Sequence, residues 1–268
     1  MPDTLSVLRR AGGVAELRMS RPQVFNAFDE TMIGELDAAF EQAAADPEVR
    51  VVVLSGEGKH FSAGADLSWM QRASEADEQW NLADARRFAA MLRRIDTCPK
   101  PTLARIQGAA LGGGFGLACV CDIAIASEQA SFAVSEARFG ILPSVIGPYV
   151  VNAVGRRQAR RLALSMRRIG AAEALAIGLV HEVVAPDALD AAVQRTVDEV
   201  LQGGPQAQRE IKQLFAALEV GPVTDEVVEL TARTISRVRG TEEARGGFAA
   251  FLAKQPAPWA PRGDEPKA

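Results

Sequence analysis

The chain has 268 residues, 48% of them hydrophobic, and a formal net charge of −4 with a pI near 5.4. That is ample apolar content for a packed core, and the mild acidity offers no positive field for holding a nucleic acid. No apolar run approaches the roughly 18 residues that a membrane span needs, and the N-terminal MPDTLSVLRR lacks an apolar signal core, so a cytoplasmic protein with neither a nucleic-acid nor a membrane partner is expected.

Leu5 and Val7, then Ala15, Leu17 and Met19, alternate with polar residues around Gly12-Gly13, the pattern of a β-hairpin. Asp29 is placed to cap a helix whose apolar positions Ile33, Leu36, Phe40 and Ala43/Ala44 recur at helical spacing. Val51-Val52-Val53-Leu54 reads as a strand buried on both faces, and strand, helix, strand in that order implies a right-handed crossover. A helical stretch from about Glu75 to Thr97 precedes a strand over Thr102–Gln107. A helix ending near Cys121 comes next, then strands over Asp122–Ala126 and Ser131–Val134. From Val145 the chain turns helical, with Gly203-Gly204-Pro205 marking a break and Pro205 suited to a helix start. The expected fold is α/β over residues 1–202, built of repeated ββα turns, with a C-terminal helical appendage over 203–268. Cys98, Cys119 and Cys121 fit neither a metal spacing nor a disulfide framework and read as small buried thiols; no metal is expected.

Two glycine-bearing segments carry the chemistry. His60-Phe61-Ser62-Ala63-Gly64-Ala65-Asp66-Leu67 and Gly108-Ala109-Ala110-Leu111-Gly112-Gly113-Gly114-Phe115-Gly116-Leu117 each read as a tight turn opening into a helix. Each can therefore present an unpaired backbone N–H at a helix start. Two such groups aimed at one point make an oxyanion hole, which stabilises the negative charge that develops on a carbonyl oxygen without reorganising; losing one donor typically costs ~10²–10³ in rate. Gly113 has no Cβ, so its backbone can approach a substrate closely. A phosphate-cradling loop fits poorly, because no Lys-Ser/Thr comes after the glycines.

Together the two segments resemble the crotonase (enoyl-CoA hydratase/isomerase) superfamily over nearly the whole chain. That resemblance implies a crotonase-like spiral core and a C-terminal helical region that builds homotrimers, often stacked as hexamers. It implies an acyl-CoA thioester as substrate, with no cofactor beyond the coenzyme A of the substrate itself. It implies Ala65 and Gly113 as the two N–H donors, and Glu136 as a catalytic acid/base. By the same resemblance Ala63, Asp66, Leu67, Gly112, Gly116, Tyr149, Phe251 and Lys254 contact the substrate or coenzyme A, Lys254 reaching its phosphates.

One departure matters. Crotonase-like hydratases place a second glutamate twenty residues before the first, and that position is Gly116 here. Two carboxylates divide the labour of activating water and protonating carbon. With Glu136 alone, either one group adds water across C2=C3, or it shuttles a proton between C2 and C4 as an isomerase. A non-catalytic acyl-CoA binder is a third reading. The segments Leu142–Val150, Ala65–Met70 and Asn81–Ala85 are similar to bacterial hydratases of branched acyl-CoAs such as methylglutaconyl-CoA and carboxygeranoyl-CoA, which favours hydration. One of Arg86, Arg87, Arg93 and Arg94 would then meet a distal carboxylate. His60 reads as a loop residue and His181 as a strand-edge residue, neither catalytic.

Overall fold

The computed structural model describes residues 4–261. The hairpin forms as expected: β1 (Leu5–Arg10) pairs antiparallel with β2 (Val14–Met19), and Gly12 and Gly13 make the turn at φ 77° and 78°, where a side chain would be strained. The Asp29 carboxylate accepts hydrogen bonds from the N–H groups of Thr31 and Met32, starting α1 (Glu30–Ala45). That helix buries Ile33, Leu36 and Phe40 and returns the chain to β3 (Val51–Gly56), which lies parallel to β2.

The single helical stretch expected from Glu75 to Thr97 is two helices, α2 (Leu67–Glu75) and α3 (Glu78–Asp96). Asp77 caps α3 through the N–H of Trp80, and the Asn81 amide donates back to the Ala73 carbonyl. This local competition for backbone partners breaks the helix where apolar spacing alone carries through. Next come β4 (Thr102–Ile106), β5 (Ala109–Leu111), α4 (Gly113–Val120), β6 (Ile123–Ser127) and β7 (Ser131–Ala133). The kinked α5 (Gly147–Ser165), β8 (Ile169–Gly170), α6 (Ala171–Ala176), β9 (Glu182–Val184) and α7 (Leu189–Leu201) complete the core. Beyond it lie α8 (Pro205–Ala217), α9 (Asp225–Arg239) and α10 (Glu242–Leu252).

A six-stranded sheet runs β1-β2-β3-β4-β6-β9, parallel except at β1, and a second sheet runs β5-β7-β8. Strand alternation explains why the central strands are apolar on both faces. Ala15, Leu17, Val52 and Leu54 join the large core under α1, α3 and α4, while Val14, Val51 and Val53 point the other way onto Leu189, Val193 and Val197 of α7. β5 and β8 are too short to register as a period in sequence. Among the described residues neither core cluster includes a side chain after Leu201, and Phe215, Phe248, Phe251 and Leu252 of the C-terminal helices are exposed. No helix among the described residues is long and apolar enough to cross a membrane.

The loop between β2 and α1 anchors the start of the first glycine segment. Asn26 is fully buried; its Oδ1 accepts from the Arg21 N–H at 2.9 Å, and its Nδ2 donates to the Glu57 and His60 carbonyls at 2.9 and 2.8 Å. Asn26→Ala would strand three backbone groups, each costing about 1–3 kcal/mol if left dry. The expected outcome is a loss of about 3 kcal/mol or more in a chemical denaturation curve, and a loss under about 1 kcal/mol would contradict it.

Candidate active site

The two glycine segments meet. Phe61 and Ser62 donate their N–H groups to the carbonyls of Gln107 and Ala109, and the Leu111 N–H donates to Ser62, so the first segment runs as a strand-like rail along β5. His60 belongs to this rail: its Nδ1 accepts from the Ala109 N–H at 3.0 Å. His181 likewise accepts from the Ala124 N–H, just ahead of β9.

Contact between the segments is closer than side chains permit. A methyl group on Gly64 would come within 2.6 Å of the Leu111 carbonyl oxygen and 3.2 Å of the Gly113 nitrogen. One on Gly113 would strike Phe28 Cζ at 2.1 Å. Ala65 forms a parallel bridge with Phe28 that uses the Gly64 carbonyl and the Asp66 N–H, so the N–H of Ala65 itself points away from Phe28. Gly113 is the first residue of α4, and its N–H has no acceptor within the helix. Among the described residues neither N–H donates a hydrogen bond. Gly112 holds φ 50° and ψ −118°, a conformation open in practice to glycine alone, and this turn sets the direction of the helix start.

Asp66 caps α2 through the N–H groups of Ser68 and Trp69 and also accepts from Arg21 at 2.9 Å. Burial acts to raise its pKa, but those N–H groups and the guanidinium prevail and hold the carboxyl below its ordinary value. Arg21 also reaches Asp29, so one cation ties the caps of α1 and α2 together.

These elements wall a cavity of about 1000 Å³. Of the residues expected at the site, Ala63, Ala65, Asp66, Leu67, Gly112, Gly113 and Glu136 line it. Gly116, Tyr149, Phe251 and Lys254 do not, and neither does His60. Gly116 lies behind Ile146, and Tyr149 is half-buried, where the charge of Asp96 reaches it. Phe251 and Lys254 are exposed at the end of α10. None of the four arginines expected to meet a distal carboxylate lines the cavity; Arg87 pairs with Asp84, and Arg94 with Asp37 and Glu41. Arg138 and Arg168 line it instead, and neither forms an ion pair among the described residues.

Glu136 opens a short 3-10 turn directly after β7, and its Oε1 lies 3.4 Å from where a Gly112 methyl would be. Among the described residues its Oε2 is buried without a hydrogen-bond partner. Burial raises its pKa above the ordinary value, the backbone N–H groups of Glu136 and Ser135 acting in the opposite direction. Among the described residues Asp66 and Glu136 are the only carboxylates on the cavity wall, and Asp66 is engaged. Among the described residues Trp69 Nε1 is a second buried polar atom on this wall without a partner, beside Phe28 and Phe88. Phe28, Asn26 and Arg21 escape sequence reading; a ten-residue loop of mixed aromatic, amide and charged residues between strand and helix is the one signal they leave.

A family model described as enoyl-CoA hydratase/isomerase matches residues 9–262. The crotonyl-CoA hydratase of Syntrophomonas wolfei is 33% identical over 259 residues, covering 94% of this chain and 96% of that one. The short-chain-enoyl-CoA hydratase of Clostridium acetobutylicum is 32% identical over 257 residues, covering 93% and 95%. A crystal structure of an enoyl-CoA hydratase from Shewanella pealeana superposes with a TM-score of 0.92 at 41% identity, covering 96% of each chain.

The half-buried carboxyl of Glu136 has a stability consequence. A carboxyl whose pKa is raised by folding contributes stability that is fully present below its ordinary value of 4.5 and is lost as pH rises through the folded-state value. Glu136→Gln removes the charge, so it should melt higher than the unsubstituted protein at about pH 8, with the difference vanishing near pH 4. Equal melting differences at both pH values would show that Glu136 carries no burial penalty.

Proposed function

The chain belongs to the enoyl-CoA hydratase/isomerase family, and from that premise we propose that it is an enoyl-CoA hydratase that works with one carboxylate. The observation that carries the reading is Glu136, the one carboxylate on the cavity wall with no cation partner among the described residues, its Oε1 facing Gly112, the residue before Gly113. The thioester carbonyl lies between the N–H groups of Ala65 and Gly113. Glu136 takes a proton from water as the water oxygen bonds to C3. The C2=C3 electron pair moves onto the thioester oxygen as an enolate, where the two fixed donors stabilise it. Glu136 then delivers the proton to C2 and the carbonyl re-forms, so that one water has been added and the carboxylate regenerated. A raised pKa suits this work, because the same group must accept and release a proton near neutrality.

Ala63, Asp66 and Leu67 border the thioester end. The apolar wall of Trp69, Phe88, Leu142 and Ile146 suits a branched acyl group. Phe251 and Lys254 belong to the same site only if α10 of a neighbouring subunit brings them there; the exposed apolar side chains of α8–α10 support such a homotrimer or a hexamer of stacked trimers. No cofactor enters these steps. A second reading, proton shuttling between C2 and C4, is favoured by the same apolar wall, since it needs no water at C3.

Mass-resolved turnover of 2-enoyl- and 3-enoyl-CoA thioesters separates the two. A gain of one water that falls by about 10²–10⁴-fold in Glu136→Gln is expected. Double-bond migration with no change of mass would replace hydration by isomerisation. Sedimentation should give three or six times the 28.6 kDa chain mass; a monomer at assay concentration would remove Phe251 and Lys254 from the site.

A further inference from the structure

Gly113 and Gly116 are three residues apart and so share one face of α4. Gly113 meets the cavity, but the space in front of Gly116 is already filled. A methyl group on Gly116 would lie 2.4 Å from Ile146 Cγ2 and 2.9 Å from Ile146 Cβ. Ile146 is 2% exposed and lines the cavity itself. Its backbone is fixed at the start of α5, where the Val150 N–H donates to its carbonyl at 3.0 Å. A β-branched side chain is stiff at χ1, so it cannot easily swing aside.

We propose that Ile146 is the residue that holds this active site to one carboxylate and keeps its wall at Gly116 dry, and so determines how a bound enoyl thioester partitions between water addition and double-bond migration. The proposal rests on Glu136 being the acid/base. Ile146 does not touch a proton. It is a positioning residue, and it acts by occupying the volume from which a second acid, or a water held by one, would reach the acyl chain. No other carboxylate on the wall among the described residues is free to replace it, Asp66 being tied to Arg21. The two positions therefore form a coupled pair: an acid at 116 requires a small residue at 146, and a large residue at 146 requires glycine at 116.

The test is a cycle of Gly116→Glu, Ile146→Gly and the double variant. In thermal melts Gly116→Glu alone overpacks the wall and should lose about 5 °C or more, and the double variant should lose clearly less than the two single losses added together. Additive losses would overturn the coupling. Should Gly116→Glu fail to fold, Gly116→Ala against Ile146→Ala reads the same coupling at smaller cost. A merely structural role is separated by product partition and by the pH profile. From one 2-enoyl-CoA, Ile146→Gly should raise the ratio of hydrated to migrated product, and the double variant should raise it by about tenfold while its kcat/KM acquires a second ionisation. An unchanged ratio and profile in a folded double variant would show that Ile146 only packs. Glu136→Gln distinguishes the two failures. If it stays fully active, the acid/base reading itself falls. If it is inactive while the cycle is additive, only the role of Ile146 falls.

Discussion

The structure depends on two backbone segments lying closer together than any pair of side chains would permit. The rail formed by Phe61 and Ser62 along β5 fixes their register, and Gly64 then passes within contact distance of Leu111 and Gly113. Phe28 closes the back of this contact, with its ring where a Gly113 side chain would begin. Two N–H groups are left without acceptors as a result, one by the bonding pattern of a parallel bridge and the other by its place at a helix start. Such groups cost free energy in a folded chain unless water or a ligand satisfies them, which is why sites with fixed donors are built on rigid elements.

Rigidity comes from charge and amide networks around that contact. Arg21 ties the capping carboxylates of α1 and α2, and Asn26 ties the loop before α1 to the loop before the first glycine segment. Neither lines the cavity, yet Arg21 holds Asp66, the residue after Ala65, and Asn26 holds the carbonyl of His60. His60 belongs to the same class, since it accepts from the backbone of Ala109 and so steadies the second segment from behind.

The cavity sets one half-buried carboxyl, that of Glu136, against a largely apolar wall, the other, Asp66, being tied to Arg21. Burial of Glu136 destabilises its charged form, and among the described residues no cation on the wall forms an ion pair with it. The space in front of Gly116 is filled by Ile146. Glu136 Oε2 and Trp69 Nε1, buried without a partner among the described residues, are costs to the fold that a fully satisfied wall would not carry.

Much of this was legible in the residues alone. The run Val51–Leu54 foretold a strand buried on both faces, and the alternation of Ala15, Leu17 and Met19 foretold a strand, which the structure buries on both faces because Val14 and Glu16 are covered as well. Asp29 and the glycine segments marked helix starts through local capping chemistry, while Glu136 was singled out by the family resemblance and proves to lie on the cavity wall. The sequence did not disclose that a loop residue, Phe28, backs Gly113, that Arg138 and Arg168 reach the cavity wall while the α3 arginines do not, or that Ile146 fills the space at Gly116. These are contacts between residues far apart in the chain, and local periodicity and capping do not encode them. Only the packing of the layers decided which side chain occupies each volume, since two groups cannot share one space and the backbone path determines which arrives there.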